Sequence, residues 1–315
     1  MKRFLGILIC VFAFSGCDDG DLIVDTIDFS DVTTSSCSDN NLIFKLKESE
    51  SLILNIPEVT FTENPTPVND PIKLDINTTN RVVYNFYDGK VAAANICALI
   101  PPATPNIKNQ WEASSGIIQI TTTAVKKLNE TDNSTRITGY NNNIILQNIT
   151  FTKPDGTTQF YETFPFGDYL KTVDPLPFGF QGLLNICANG QVYDFTESEA
   201  FTLNIDPALI VNAVTPVGSP RTGVIGLVKN KLVYRLFNGV VPPSYFCQTT
   251  DPLLPTVNQT WLGKAGGVIE VTTTTSGPNT FKHTIILKNV TLEKDTNNFQ
   301  LGTSYKYGEL QTKIP

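Results

Sequence analysis

Apolar and polar positions alternate with a period of two along much of this chain. In the stretch 117–122, Ile118, Ile120 and Thr122 fall on one face and Ile117, Gln119 and Thr121 on the other, the pattern of a half-buried strand. Val268-Ile269-Glu270-Val271 repeats it. Segments 40–46, 51–56, 81–86, 116–123, 143–151 and 159–169 read as strands, some separated by loops bearing Pro65, Pro67 and Pro71 or Pro101, Pro102 and Pro105. Asp88-Gly89 and Asn238-Gly239, flanked by β-branched and aromatic residues, signal hairpin turns. No long amphipathic helix with caps is present, so the expected class is all-β.

The strand pattern occurs twice. Glu48-Ser49-Glu50-Ser51-Leu52-Ile53-Leu54-Asn55-Ile56 returns as Glu197-Ser198-Glu199-Ala200-Phe201-Thr202-Leu203-Asn204-Ile205. Val83-Tyr84 returns as Val233-Tyr234, Trp111 as Trp261, and the run 144–150 as 285–291. The offset is about 150 at first and 141 after the threonine runs at 121–123 and 272–275, so repeat one carries a connection some ten residues longer, within 129–143. An internal duplication of this kind predicts two matched domains.

The opening, Met1 to Cys17, has Lys2 and Arg3 followed by an apolar stretch from Phe4 to Phe14. That stretch is too short for the ~20 residues a spanning helix needs and fits the apolar region of an export signal. Phe14-Ser15-Gly16-Cys17 resembles the bacterial lipobox, with Phe where Leu is usual. The resemblance implies cleavage of 1–16, lipidation of Cys17 and a tether with a first strand over 17–35, ahead of repeats at 36–172 and 173–315. The acidic cluster Asp18, Asp19 and Asp21 resembles the surface-export signal of Bacteroidetes lipoproteins, and the whole opening resembles uncharacterised flavobacterial lipoproteins. In enterobacteria an Asp directly after the Cys would instead suggest inner-membrane retention. Asp25-Thr26-Ile27 resembles the O-glycosylation motif of the Bacteroidetes group, with Thr26 as acceptor. Two acyl chains hold a soluble body on a membrane. The implied place is the outer membrane, facing the exterior, with the periplasmic face as the alternative.

Charge narrows the partners. The 315 residues carry 23 basic and 30 acidic side chains with one His, and the pI is about 4.8. Loss of Lys2 and Arg3 with the leader takes the net charge from −7 to −9. That argues against a nucleic-acid partner, which needs a basic face. No cofactor or metal motif is visible, and a single His, His283, argues against a His-based metal centre or a Ser-His-Asp triad.

Cys10 leaves with the leader and Cys17 takes lipid, leaving Cys37, Cys97, Cys187 and Cys247. Four cysteines allow three connectivities. The duplication selects Cys37–Cys97 and Cys187–Cys247, because only that choice gives each repeat its own bridge. Six or seven short strands, one disulfide and one Trp per unit suggest two tandem β-sandwiches, with the immunoglobulin fold as the nearest pattern. In true immunoglobulin domains the Trp lies between the two cysteines, whereas Trp111 follows Cys97, so membership of that family is not claimed.

Trp111, Trp261, Tyr84 and Tyr234 are the candidate ligand aromatics, weighed against the favoured reading that they pack in the core or on the disulfides. Glu48 with Glu50, and Glu197 with Glu199, at i and i+2 on a strand, are expected to share a face about 6–7 Å apart, within the range of a carboxylate pair for glycoside cleavage. The favoured reading makes them solvated charges leading into an apolar strand. His283 is expected at the surface or an edge, where repeat one has Asn142. Sequons such as those at Asn77 and Asn148 carry little weight in a bacterium. The sequence therefore leads to a non-catalytic surface lipoprotein, a binding or scaffolding module for glycans, similar in place and architecture to glycan-binding accessory lipoproteins of polysaccharide-uptake systems. The alternative is a structural or assembly partner of an outer-membrane protein complex, and a carboxylate-based glycan-cleaving enzyme ranks below both.

Overall fold

The computed structural model describes residues 26–314. Cys17 and the acidic cluster Asp18, Asp19 and Asp21 lie outside the described residues. Repeat one holds β1 (Ser35–Ser36), β2 (Leu42–Lys47), β3 (Glu50–Asn55), β4 (Ile72–Asp75), β5 (Arg81–Tyr87), a short helix α1 (Ala93–Cys97), β6 (Ile107–Asn129), β7 (Ser134–Thr152) and β8 (Thr158–Thr172). They form a single sheet in the order β1-β2-β3-β5-β6-β7-β8, with β4 also on β6. Repeat two holds β9 (Asn185–Ile186), β10 (Gln191–Phe195), β11 (Glu199–Asn204), β12 (Arg221–Val224), β13 (Lys231–Phe237), β14 (Val257–Gly263), β15 (Val268–Gly277), β16 (Thr280–Lys288), β17 (Thr291–Lys294), β18 (Asn297–Gln300) and β19 (Ser304–Lys313). Here two sheets face each other, β18-β17-β14-β13-β11-β10-β9 and β12-β15-β16-β19. The fold is all-β, two β-rich units with one disulfide each.

The difference between one folded-over sheet and two separate sheets lies at a corner. In repeat one, β6 pairs with β5 through Tyr84↔Trp111 and then with β4 through Leu74↔Ile118, so a single strand serves both layers. It bends at Gly116, which has φ 133°, and a Cβ there would stand 2.9 Å from the Ile149 Cα. Only glycine combines that backbone with that approach. Repeat two places Lys264-Ala265-Gly266-Gly267 where repeat one has Ser114-Ser115-Gly116. The extra residue ends β14 and restarts the chain as β15 in the other layer. Asn148 and Asn289 turn the facing strands at the same corner, with φ 50° and 51°.

Period-two alternation fills the cores. Leu52, Leu54, Val82 and Trp111 from one layer meet Ile118, Ile120, Ile144, Leu146 and Phe166 from the other. In repeat two, Val192, Phe201, Leu203, Leu232 and Tyr234 meet Ile269, Val271, Ile285, Leu287 and Tyr307. A leading segment closes each unit at matching places: Ile27 and Phe29 pack into repeat one, Phe178 and Phe180 against repeat two. Residues 27–29 are thus part of the first core, within the stretch expected to serve as tether.

Both expected disulfides are present, Cys37–Cys97 and Cys187–Cys247, each closing 60 residues. Each joins two connections of one sheet. Cys187 lies between β9 and β10, and Cys247 lies between β13 and β14. An immunoglobulin bridge instead pins two sheets through the core. The bridge in repeat two draws the 238–256 excursion over the outer sheet face, where Tyr193, Phe237, Tyr245 and Phe246 form a second small cluster. Asp88-Gly89 and Asn238-Gly239 consequently do not form tight hairpin turns. They open long excursions, and Asp88 clamps the base of the first one, accepting from Asn106 N at 2.8 Å and Asn106 Nδ2 at 3.0 Å.

The longer connection of repeat one proves to be strand. β6 runs on to Asn129, turns over 130–133 and returns as β7, making a two-stranded arm beyond the end of β8. This arm reaches into repeat two, where Ile137 and Tyr140 are buried in the same cluster as Trp261 and Phe299. Tyr140 OH donates to Asn297 Oδ1 at 3.2 Å, Gln300 N to Thr135 Oγ1 at 2.8 Å, and Thr303 N to Asp132 O at 2.8 Å. Arg136 places its guanidinium 4.5 Å from the Phe178 ring centre and 5.4 Å from that of Phe299. Burial pushes the Tyr140 hydroxyl pKa up to about 12, with Glu63 adding to the effect.

Candidate functional site

The four candidate ligand aromatics are not available as stacking platforms. Trp111 is 3% exposed, Trp261 4%, Tyr84 9% and Tyr234 0%. Each sits on the core face of its strand, because alternation places it beside buried aliphatic neighbours. Tyr84 packs on Trp111 at 5.1 Å between ring centres, Trp261 on Phe299 at 5.0 Å, and Tyr234 stacks on Phe178 at 4.6 Å. The packing alternative holds for all four.

The carboxylate pairs separate. Glu48 lies in the β2–β3 turn at φ 49°, so it does not share a strand face with Glu50, which accepts from Tyr84 OH at 3.1 Å. Glu197 is exposed, as expected of a solvated charge. Glu199 is not: it is 2% exposed, which corrects the solvated reading. Its Oε1 accepts from Phe178 N at 2.7 Å and Tyr234 OH at 2.8 Å, and its Oε2 from Gly179 N at 2.9 Å. The acid anchors the leading segment of repeat two to the sheet. Burial, together with the Glu199 charge, pushes the Tyr234 hydroxyl pKa far up.

His283 is likewise buried, 0% exposed, and the expectation of a surface or edge position is corrected. Its alternation places it on the core face of β16, opposite Thr273. Nδ1 lies 2.9 Å from Thr273 Oγ1 and Nε2 lies 2.8 Å from Thr312 Oγ1. Arg221 Nη1 donates to the same Thr273 oxygen at 2.8 Å. The threonine therefore gives its own proton to Nδ1, and Nε2–H donates to Thr312, which in turn bonds Asn212. Burial, reinforced by Arg221, lowers the His283 pKa. Asn142 does the same work in repeat one, with Oδ1 accepting from Thr122 Oγ1 at 2.8 Å and Nδ2 donating to Tyr140 O and Tyr169 O. Among the described residues, no group of three His, Cys, Asp or Glu is placed to hold a metal ion.

The open concavity lies where the arm brings the repeats together. A groove of about 600 Å³ runs between the loop Pro65–Pro71, the β6 residues Gln119, Thr121, Thr123, Ala124 and Lys126, and the β17–β18 turn with Thr296 and Asn298. Thr296 Oγ1 donates to Pro65 O at 2.7 Å, and Lys126 Nζ reaches Asn298 Oδ1 at 2.9 Å. The lining contains no carboxylate and no aromatic ring, and Lys126 is its one charged side chain. Partial burial lowers the Lys126 pKa. A second hollow of about 240 Å³ lies in repeat one between the β1–β2 turn, with Asp39 and Asn41, and Glu58, Phe61 and Tyr169.

No known protein family, curated protein or solved structure matches this chain. What the surface displays therefore rests on geometry. Large aliphatic side chains stand out on the disulfide-tied excursions of both repeats: Leu99 at 100% and Ile100 at 86% exposure, Leu253 at 92% and Leu254 at 75%. Thr26 is exposed where the described chain begins. No helix among the described residues is long and apolar enough to cross a membrane. Lys126 and the far end of β6 fall beyond the strand that the sequence pattern marks at 116–123, so sequence reasoning missed them. The polar run Thr121-Thr122-Thr123-Ala124-Val125-Lys126-Lys127-Leu128, free of Gly and Pro, was the available signal that the strand continues.

Proposed function

We propose that this chain is a non-catalytic scaffolding module of the cell envelope, held in the outer membrane by lipid on Cys17 and facing the exterior, and that it engages another protein. The observation that carries the proposal is the pair of exposed aliphatic tips, Leu99-Ile100 and Leu253-Leu254, which lie at different positions on the equivalent disulfide-tied loops of the two repeats, two residues past Cys97 and six past Cys247. Exposed aliphatic groups on a tied loop are what a protein partner buries. The burial of Trp111, Trp261, Tyr84 and Tyr234 leaves the glycan reading, which rests on place and architecture, without stacking surfaces from these side chains.

The test places a photo-crosslinking amino acid at Leu99 and at Leu253 in the native cells, with Cys17→Ala as the anchoring control and protease shaving of intact cells as the measure of exposure. A discrete protein adduct from both sites, lost in the Cys17→Ala strain, is expected. Adducts to no protein from either tip would sink the proposal. A glycan ligand is the second reading, and the observation favouring it is the hollow where Tyr169 and Phe61 stand beside Asp39 and Glu58. Tyr169→Ala abolishing retention on immobilised polysaccharide would move the assignment there.

A further inference from the structure

From the inter-repeat groove we infer that the free edge of β6 takes an extended, acidic peptide segment of the partner by strand addition, an inference that rests on the scaffolding proposal and names the surface it uses. On its outer edge β6 pairs with β5 and then with β4, whose last partner is Ile120. Among the described residues no strand covers that edge from 121 to 129, although β7 covers the other edge throughout. Thr66 takes the position at Thr122, so at ~3.3 Å per residue about 20 Å of strand, 123–129, is left with one side open.

The edge already accepts backbone from outside at one point. Thr66 N donates to Thr122 O at 3.0 Å, and Thr122 N donates to Thr66 Oγ1 at 3.2 Å. Outward-facing groups recur every second residue in an antiparallel strand, so Ala124, the next outward position, turns its N–H and C=O into the groove. A ligand that matches such a row must itself be extended backbone, as in recognition by strand addition. Charge decides which peptide. The chain carries a net −7, yet the lining of this groove holds no carboxylate and presents Lys126, while Asp70 and Asp295 line the adjoining hollow on the same loop. Lysines on an open edge also disfavour pairing with an uncharged edge of another copy, because the ammonium would be left without a counter-charge. A carboxylate on the incoming strand supplies that counter-charge and displaces Lys126 from Asn298.

The probe is a fluorescein-labelled hexapeptide, Thr-Val-Asp-Val-Thr-Val, measured by anisotropy on the full-length protein, with amide exchange read over 121–129. Expected are slowed exchange at 123–128, at least tenfold weaker binding when Asp is replaced by Lys, and the same loss when alternate amides of the peptide are N-methylated. Lys126→Glu should weaken the acidic peptide tenfold and improve the Lys peptide, a reversal that misfolding cannot mimic. Binding indifferent to N-methylation, no slowing of exchange at 123–128, or displacement of the peptide by a uronate oligosaccharide would overturn the inference. A photo-crosslinker at Lys127 in cells separates the two levels. Protein adducts from Leu99 but none from Lys127 end the edge inference and leave the scaffold standing; adducts from neither end both.

Discussion

Ile137 belongs by sequence to repeat one and by packing to repeat two, so its truncation should weaken the repeat in which it does not reside. Ile137→Ala removes three carbons from a side chain 8% exposed, set among Tyr140, Trp261 and Phe299. At about 0.8 kcal/mol per buried methylene the transfer loss is ~2.4 kcal/mol, and a partly relaxed cavity raises the total to ~3 kcal/mol. For a unit of this size that corresponds to a drop in melting temperature of roughly 6–12 °C. The informative assay is amide exchange by mass spectrometry, which reports each repeat separately. Protection should fall first at β14, β17 and β18, with β2, β3 and β5 unchanged. Protection lost in β2, β3 and β5 while β17 and β18 stay protected would refute the claim that the arm completes the second core.

Three further outcomes follow from the buried polar groups and the bridges. His283 has a folded pKa below its ordinary 6.5, so the unfolded chain takes up the proton first; stability is full above about pH 6.5 and falls as pH drops toward the folded value. The slope should approach ~1.4 kcal/mol per pH unit and be absent in His283→Asn, compared by urea unfolding between pH 7.5 and 5.5. Glu199→Gln turns an amide NH₂ toward donors now satisfied by carboxylate oxygens, which should cost about 2–3 kcal/mol in denaturant unfolding and release the segment around Phe178 to exchange. Removing either 60-residue bridge as a double Cys→Ser variant should cost up to ~4 kcal/mol in the chain-entropy picture, read by calorimetry, with the loss confined to its own repeat.

The strands and their faces were legible in the sequence because alternation needs nothing but neighbours. Ile118, Ile120 and Thr122 are buried in the structure as their spacing requires. The disulfides were legible because duplication left one sensible pairing. What stayed hidden depends on partners distant in the chain. Glu199 looks solvated beside Glu197 until Phe178 and Gly179 supply the donors that let a carboxylate be buried. His283 looks like an edge residue until Thr273, Thr312 and Arg221 close around it. The Asp88-Gly89 pair carries a turn signal, but Asn106, eighteen residues on, sets what the Asp does. The arm was misread for another reason: its residues alternate weakly, because their apolar partners belong to the other repeat.

The difference in hairpin length gives the duplicated chain a direction. Repeat one hands an arm forward, and repeat two receives it at β18. The matching hairpin of repeat two turns at 278–279, between β15 and β16, and is too short to reach a neighbour in the same way. Two units that descend from one therefore play donor and acceptor, and the coupling is used up at the first junction. An array built this way does not propagate: copies added behind repeat two would lack the arm that joins the first pair.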